Sequence, residues 1–164
     1  MLQQKSNTKG MIDITISFTI QGDSEGYVIF ECPFCEMEFK LQAGEYQNDD
    51  IPVSDLYCPY CGLTSDKQEF FSKEVVEQVA VLAQNAMIEE LNKSFGKMAR
   101  GINRSGKGVI KMTFRPLAKQ NTKELGTPDT SEEIFCCQQC DHNFKVLYCA
   151  GKSKVFCPYC GVDV

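Results

Sequence analysis

The chain has 164 residues, 43% of them hydrophobic and 24% charged, with a net charge of −5; this is the make-up of one ordinary globular domain or of two to three small ones. It has no apolar run of about 18 residues and no apolar stretch near the N-terminus, so neither a membrane-spanning helix nor a secretory leader is expected. Its ten cysteines are therefore expected in a reducing cytoplasmic setting, where paired cysteines serve as metal ligands or catalytic thiols.

The modest net charge conceals a segregation. Residues 1–90 carry 16 acids against 5 bases, residues 91–123 carry nine bases and no acid, and residues 124–164 carry 6 acids against 3 bases. Such asymmetry points to a charged partner for the central block.

Residues 1–10 are polar and are expected to be a flexible N-terminus. Over residues 11–20, Ile12, Ile14, Ile16, Phe18 and Ile20 alternate with polar residues, the period of a half-buried strand. A turn at Gly22 and Asp23 leads to a second strand over residues 27–30, which runs into Cys32 and Cys35. A second pair, Cys58 and Cys61, closes the set as C-x2-C-x22-C-x2-C. Residues 11–71 are thus expected to form one module.

From residue 72 to about residue 100 the pattern is helical. Ser72 is a suitable N-cap, Glu74 and Glu77 occupy the first turns, and Lys97 and Arg100 the last, before Gly101. Val75, Val79, Leu82 and Ala86 form one apolar stripe, widened by Val76, Ala83, Met87, Leu91, Phe95 and Met98. A stripe this long needs cover, either from strands of the same chain or from the same helix of a second protomer.

The basic block starts inside the helix. Lys93, Lys97, Arg100 and Arg104 share one helix face by spacing; a Gly-rich turn and a strand over residues 109–115 would line up Lys107, Lys111 and Arg115. With Lys119, these residues are candidate nucleic-acid contacts, because nine bases without an acid exceed what solubility requires. The segment from Gly101 to Gly108 nearly spells a phosphate-binding loop, but it follows a helix and ends in glycine where Ser or Thr would bind magnesium. Residues 116–133, with two prolines and little apolar material, are expected to be a flexible linker.

The C-terminal module, residues 134–164, repeats the first. Cys137, Cys140, Cys157 and Cys160 form C-x2-C-x16-C-x2-C, Phe39-Lys40 recurs as Phe144-Lys145 at the same offset, and Cys-Pro-Tyr-Cys-Gly closes both sets intact. Two turns that each present two thiolates suit a tetrahedral four-cysteine site, and zinc suits all-thiolate ligation. The expected cofactors are two structural zinc ions, with rubredoxin-type iron as the rival ion and thiol-redox chemistry disfavoured by the β-rich context. Cys136 aligns with Glu31, Cys149 has no counterpart, and His142 lies too close to Cys140 to complete the same tetrahedron, so none of the three is expected to be a ligand.

These turns resemble the knuckles of the zinc ribbon family, over residues 26–71 and 133–164. The resemblance implies two small antiparallel β modules with structural metal. Glu36 and Asp141 stand where such knuckles frequently carry glycine. The expected architecture is α+β: two β-rich ribbons flanking a long helix (residues 72–101) and a basic turn and strand (residues 102–115). No catalytic constellation is evident, and the chain is not expected to be an enzyme. The leading expectation is an accessory protein that contacts nucleic acid. The alternative is an adaptor or complex subunit whose ribbons and long helix bind a protein partner or a second copy, with no membrane involved.

Overall fold

The computed structural model describes residues 2–8, 14–48, 53–105, 111–130, 132–147 and 154–164. The fold is α+β. The elements in chain order are β1 (Leu2–Thr8), β2 (Ile14–Gln21), β3 (Tyr27–Glu31), β4 (Glu38–Gln42), a helical turn α1 (Ala43–Tyr46), β5 (Asp55–Tyr57), β6 (Thr64–Asp66) and a 3₁₀ turn (Lys67–Phe70). The long helix α2 (Lys73–Ser105), β7 (Leu125–Gly126), β8 (Glu132–Cys136) and β9 (Asn143–Leu147) complete it. The N-terminus, expected to be flexible, contains β1, which joins a sheet of order β1-β2-β7.

The chain divides into two compact units, the first comprising Met1–Gln4, Phe18–Val76 and Glu124–Val164, the second Lys5–Ser17 and Glu77–Lys123. At the centre of the first unit is a four-stranded sheet of order β3-β4-β9-β8. The hairpin β3-β4 comes from the first cysteine module and β8-β9 from the second. They join because β4 and β9 pair antiparallel, with Lys40 opposite Lys145, Phe39 opposite Val146 and Leu41 opposite Phe144. The expectation of two separate ribbons is therefore corrected: the repeats are two halves of one sheet, related by a pseudo-twofold between Lys40 and Lys145. The reason lies in the inner strands, whose sequences EFKLQ and NFKVL each bury three consecutive residues. Each presents Phe with Leu or Val on one face and a buried Lys on the other, and strands buried on both faces need neighbours on both edges.

Phe30, Phe39, Phe70, Phe144, Leu41, Leu56, Val28 and Val146 form the core of this unit, all fully buried. Phe30 packs on Phe39 and Tyr46 with ring centroids 6.1 and 4.9 Å apart, and Phe39 meets Phe70 edge-on at 5.8 Å. The alternation expected for β2 holds at Ile16, Phe18 and Ile20, which are buried; Ile12 lies outside the described residues.

Lys40 and Lys145, side by side on the sheet, are both buried. Asp23 Oδ2 lies 3.4 Å from Lys40 Nζ and 2.8 Å from Lys145 Nζ. Lys40 also meets Glu132 at 2.9 Å and donates to Pro128 O and Thr130 Oγ1 at 2.6 and 3.0 Å. Lys145 pairs further with Glu25. Each buried ammonium is thus surrounded by acceptors, as burial of a charge demands.

The helix α2 begins after Ser72, whose Oγ accepts from Val75 N at 3.5 Å, in keeping with its expected capping role, and from Glu77 onward it belongs to the second unit. The helix does not stop at Gly101; it continues to Ser105. Residues 111–123 form no strand, contrary to the expectation for residues 109–115, of which 109 and 110 lie outside the described residues. Nor do residues 116–123 hang as a linker. They run extended and antiparallel along α2, held by side-chain amides. Asn103, Asn92 and Asn85 each donate Nδ2 to a backbone carbonyl, of Met112, Leu117 and Gln120, at 3.0, 2.9 and 2.8 Å. Each also accepts the N–H of that same residue on Oδ1, at 2.9, 2.8 and 2.7 Å. Gln78 Oε1 accepts from Lys123 N at 2.9 Å. The spacing is self-consistent: seven helix residues rise about 10.5 Å and match three strap residues at about 3.5 Å each, the length of an extended chain. Phe114 adds a ring contact with Phe95 at 5.9 Å.

Candidate metal centres and the basic surface

Each of the four Cys-x-x-Cys turns is built alike. The N–H of the fourth residue after a turn's first cysteine closes back on that cysteine's carbonyl: Glu36 to Cys32, Gly62 to Cys58, Asp141 to Cys137 and Gly161 to Cys157, at 2.8–2.9 Å. The first cysteine's own N–H then donates to the carbonyl of the following residue, namely Met37, Leu63, His142 and Val162, at 2.8–3.0 Å. The residue that turns the chain holds a positive φ in every case: 58° at Glu36, 71° at Gly62, 54° at Asp141 and 71° at Gly161. Glu36 and Asp141 therefore depart from the knuckle pattern in sequence only. Aspartate tolerates this region better than most residues, and at Glu36 the two closing hydrogen bonds hold the backbone there.

The turns bring the eight expected ligands into two groups of four, Cys32, Cys35, Cys58 and Cys61, and Cys137, Cys140, Cys157 and Cys160; within each group the sulfurs lie within 4.8 Å of one another. Cys32 to Cys61 is 3.8 Å and Cys35 to Cys58 is 3.6 Å; Cys137 to Cys160 is 3.7 Å and Cys140 to Cys157 is 3.5 Å. A tetrahedral ion with metal–sulfur bonds of about 2.3 Å has sulfur–sulfur edges of about 3.8 Å, so both groups fit a four-thiolate metal.

Backbone N–H groups point at the sulfurs. Phe34 and Cys35 N lie 3.4 and 3.5 Å from Cys32 Sγ, and Tyr60 N lies 3.4 Å from Cys58 Sγ. Burial raises the Cys58 and Cys157 thiols well above the ordinary value. Burial also acts against the Cys137 thiolate, but donation from Gln139 and Cys140 N–H outweighs it and brings this thiol down to about 7. Four thiolates in a buried cluster repel one another; a divalent cation supplies the charge that lets all four stay deprotonated. All four positions of such a site are protein thiolates, which marks it as closed and structural.

The two centres are tied together across the pseudo-twofold. Tyr57 N donates to Pro158 O at 2.8 Å, and its counterpart Phe156 N donates to Pro59 O at 2.9 Å. A Cβ on Gly62 would lie 3.2 Å from the Phe156 ring, and one on Gly161 would lie 2.8 Å from the Tyr57 ring. Cys136 is exposed and outside the sulfur group. His142 is also outside it and stacks on Tyr159 at 4.1 Å. Cys149 lies outside the described residues. The doubled Phe-Lys motif was visible in the sequence, but its burial around Asp23 had no local signal.

The candidate nucleic-acid contacts have varied fates. Lys93 pairs with Glu90 and Lys119 with Glu89, each at 2.7 Å. Lys107 lies outside the described residues. Lys97, Arg100 and Arg104 line one open concavity with Gly101 and Asn103. Lys111 and Arg115 sit at the same level of the helix, because Met112 is fixed to Asn103 and Phe114 lies against Phe95. Among the described residues these five bases form no ion pair.

No protein-family model matches this chain, and no curated protein or solved structure is significantly similar to it. The geometry is compatible with metal sites of the zinc-ribbon type. Among the described residues, no helix is long and apolar enough to cross a membrane.

Proposed function

We propose that the protein is a zinc-stabilised accessory protein that contacts the phosphate backbone of nucleic acid through the basic surface at the C-terminal third of α2. One observation carries this reading: the strap sets Lys111 and Arg115 at the level of Lys97, Arg100 and Arg104, in a stretch with no acid from residue 91 to residue 123. The metal sites supply folding rather than chemistry. Each zinc tetrathiolate carries a formal charge of −2, so the unit that holds them is the wrong surface for phosphate. No catalytic role is part of this reading.

The test is fluorescence anisotropy with labelled single-stranded and duplex DNA and RNA, over a salt series. Binding is expected with a log–log salt slope of about −3 to −4.5, four to five phosphates at about 0.7–0.9 each. Changing Lys97, Arg100, Lys111 and Arg115 to Glu is expected to abolish it. Binding indifferent to those reversals, or none at 50 mM salt, contradicts the reading.

A second reading, a protein adaptor, is favoured by the exposed Leu63 and Val162, which occupy equivalent positions beside the two closing turns. A complex that survives high salt and contains no nucleic acid would support it.

A further inference from the structure

One exposed face of α2, beside the strap, is unusual for a helix of one molecule. Ala80, Gln84, Met87, Leu91, Ser94 and Met98 follow one another at intervals of four, three, four, three and four, and all six are exposed. The three large apolar side chains are 48%, 43% and 46% exposed for Met87, Leu91 and Met98. Alternating steps of three and four define a heptad seam, the pattern by which one helix packs along another. The strap-facing residues Gln78, Asn85, Asn92 and Asn103 lie about 140° round the helix from the seam at 100° per residue. The strap reaches the seam's edge, where Gln84 Oε1 accepts from Gln120 Nε2 at 2.7 Å, and leaves Met87, Leu91 and Met98 open.

We propose that this seam binds the same helix of a second copy, antiparallel. Two observations select that occupant. First, charge runs along α2: residues 73–90 carry four acids and one base, and residues 91–105 carry four bases and no acid. Antiparallel pairing sets the acidic end of each helix against the basic end of the other, whereas parallel pairing stacks like on like. Second, the seam complements itself when reversed. A two-fold axis between Met87 and Leu91 places Ala80 opposite Met98, Gln84 opposite Ser94 and Met87 opposite Leu91, each pair occurring twice. Small faces large at the ends, large faces large at the centre, and the Gln84–Ser94 layer is polar, a feature that fixes register.

The experiment uses the full-length zinc-loaded protein, with mass measured by light scattering after size exclusion and by sedimentation equilibrium. Wild type is expected to be a dimer at tens of micromolar. Met87→Lys and Leu91→Glu are each expected to be monomeric, with zinc content and helical circular dichroism unchanged. Mixed in equal amounts, the two variants are expected to form a heterodimer, because the antiparallel register sets residue 87 of one chain against residue 91 of the other. A parallel seam would set residue 87 against residue 87 and give no rescue. A monomeric wild type at 100 μM, variants that stay dimeric, or a mixture that stays monomeric would each overturn the proposal. A different protein as the seam's occupant would appear as the first of these outcomes.

Discussion

Glu36, Gly62, Asp141 and Gly161 hold the same left-handed backbone at the four metal-binding turns, and their neighbours decide what each tolerates. At Gly161 both the φ of 71° and the Tyr57 ring 2.8 Å from a built Cβ oppose a side chain. Gly161→Ala is expected to lose about 1–3 kcal/mol in chemical denaturation. Asp141→Gly relieves a non-glycine residue of the same conformation and is expected to be neutral or to gain up to about 1 kcal/mol. The glycines were legible in the sequence because glycine announces positive φ. Glu36 and Asp141 were not, since the turn is imposed on them by the closing hydrogen bonds.

Asp23 is the other residue on which much depends. Burial would raise its carboxyl pKa, but the Lys145 ammonium and the Tyr27 and Glu25 N–H groups outweigh that and hold it below the usual range. A depressed carboxyl contributes stability that is present above the unfolded pKa, near 3.9, and is lost as the pH falls through the folded value. Asp23→Asn leaves two buried ammonium groups side by side, and is expected to cost about 3–5 kcal/mol at pH 7. That deficit should narrow as acid neutralises the wild-type carboxylate, which denaturation curves over a pH series would check.

At the scale of elements, α2 and its strap were half legible. The apolar period and Ser72 announced the helix. Its continuation past Gly101 was hidden because a glycine inside a helix costs only about 1 kcal/mol, within reach of the paired hydrogen bonds that Asn103 makes with Met112. The strap left no periodic signal, since its backbone rather than its side chains is recognised. The sign of it lay on the helix, where Gln78, Asn85 and Asn92 recur every seven residues. Residues 111–123 contain three trypsin sites, Lys111, Lys119 and Lys123, because Pro116 blocks cleavage after Arg115. Pinning is expected to protect them, and Asn85→Ala with Asn92→Ala is expected to expose Lys119 to rapid cleavage while the helical circular dichroism stays. Equal cleavage rates in wild type and the double variant would contradict the pinned strap.

Over the whole molecule, the internal repeat was readable but its consequence was not. Sequence shows that residues 26–71 and 133–164 are copies; only pairing β4 with β9 shows that the copies complete one another. The repeat marks Lys40 and Lys145 as a recurring pair, but their burial follows only from the meeting of the strands. The same pairing joins the metal centres, through the shared sheet and through the exchanged hydrogen bonds of Tyr57 with Pro158 and Phe156 with Pro59. Organising one centre builds part of the wall of the other, and a structural zinc site contributes on the order of 10 kcal/mol to folding at neutral pH. The two ions are therefore expected to load together.

Native mass spectrometry of the apo protein during zinc titration measures this directly. The expected spectrum shows apo and two-zinc chains in exchange, with the one-zinc species rare throughout. A one-zinc species that reaches about half of all chains at half-saturation, as two independent equal sites require, would contradict a fused two-metal unit.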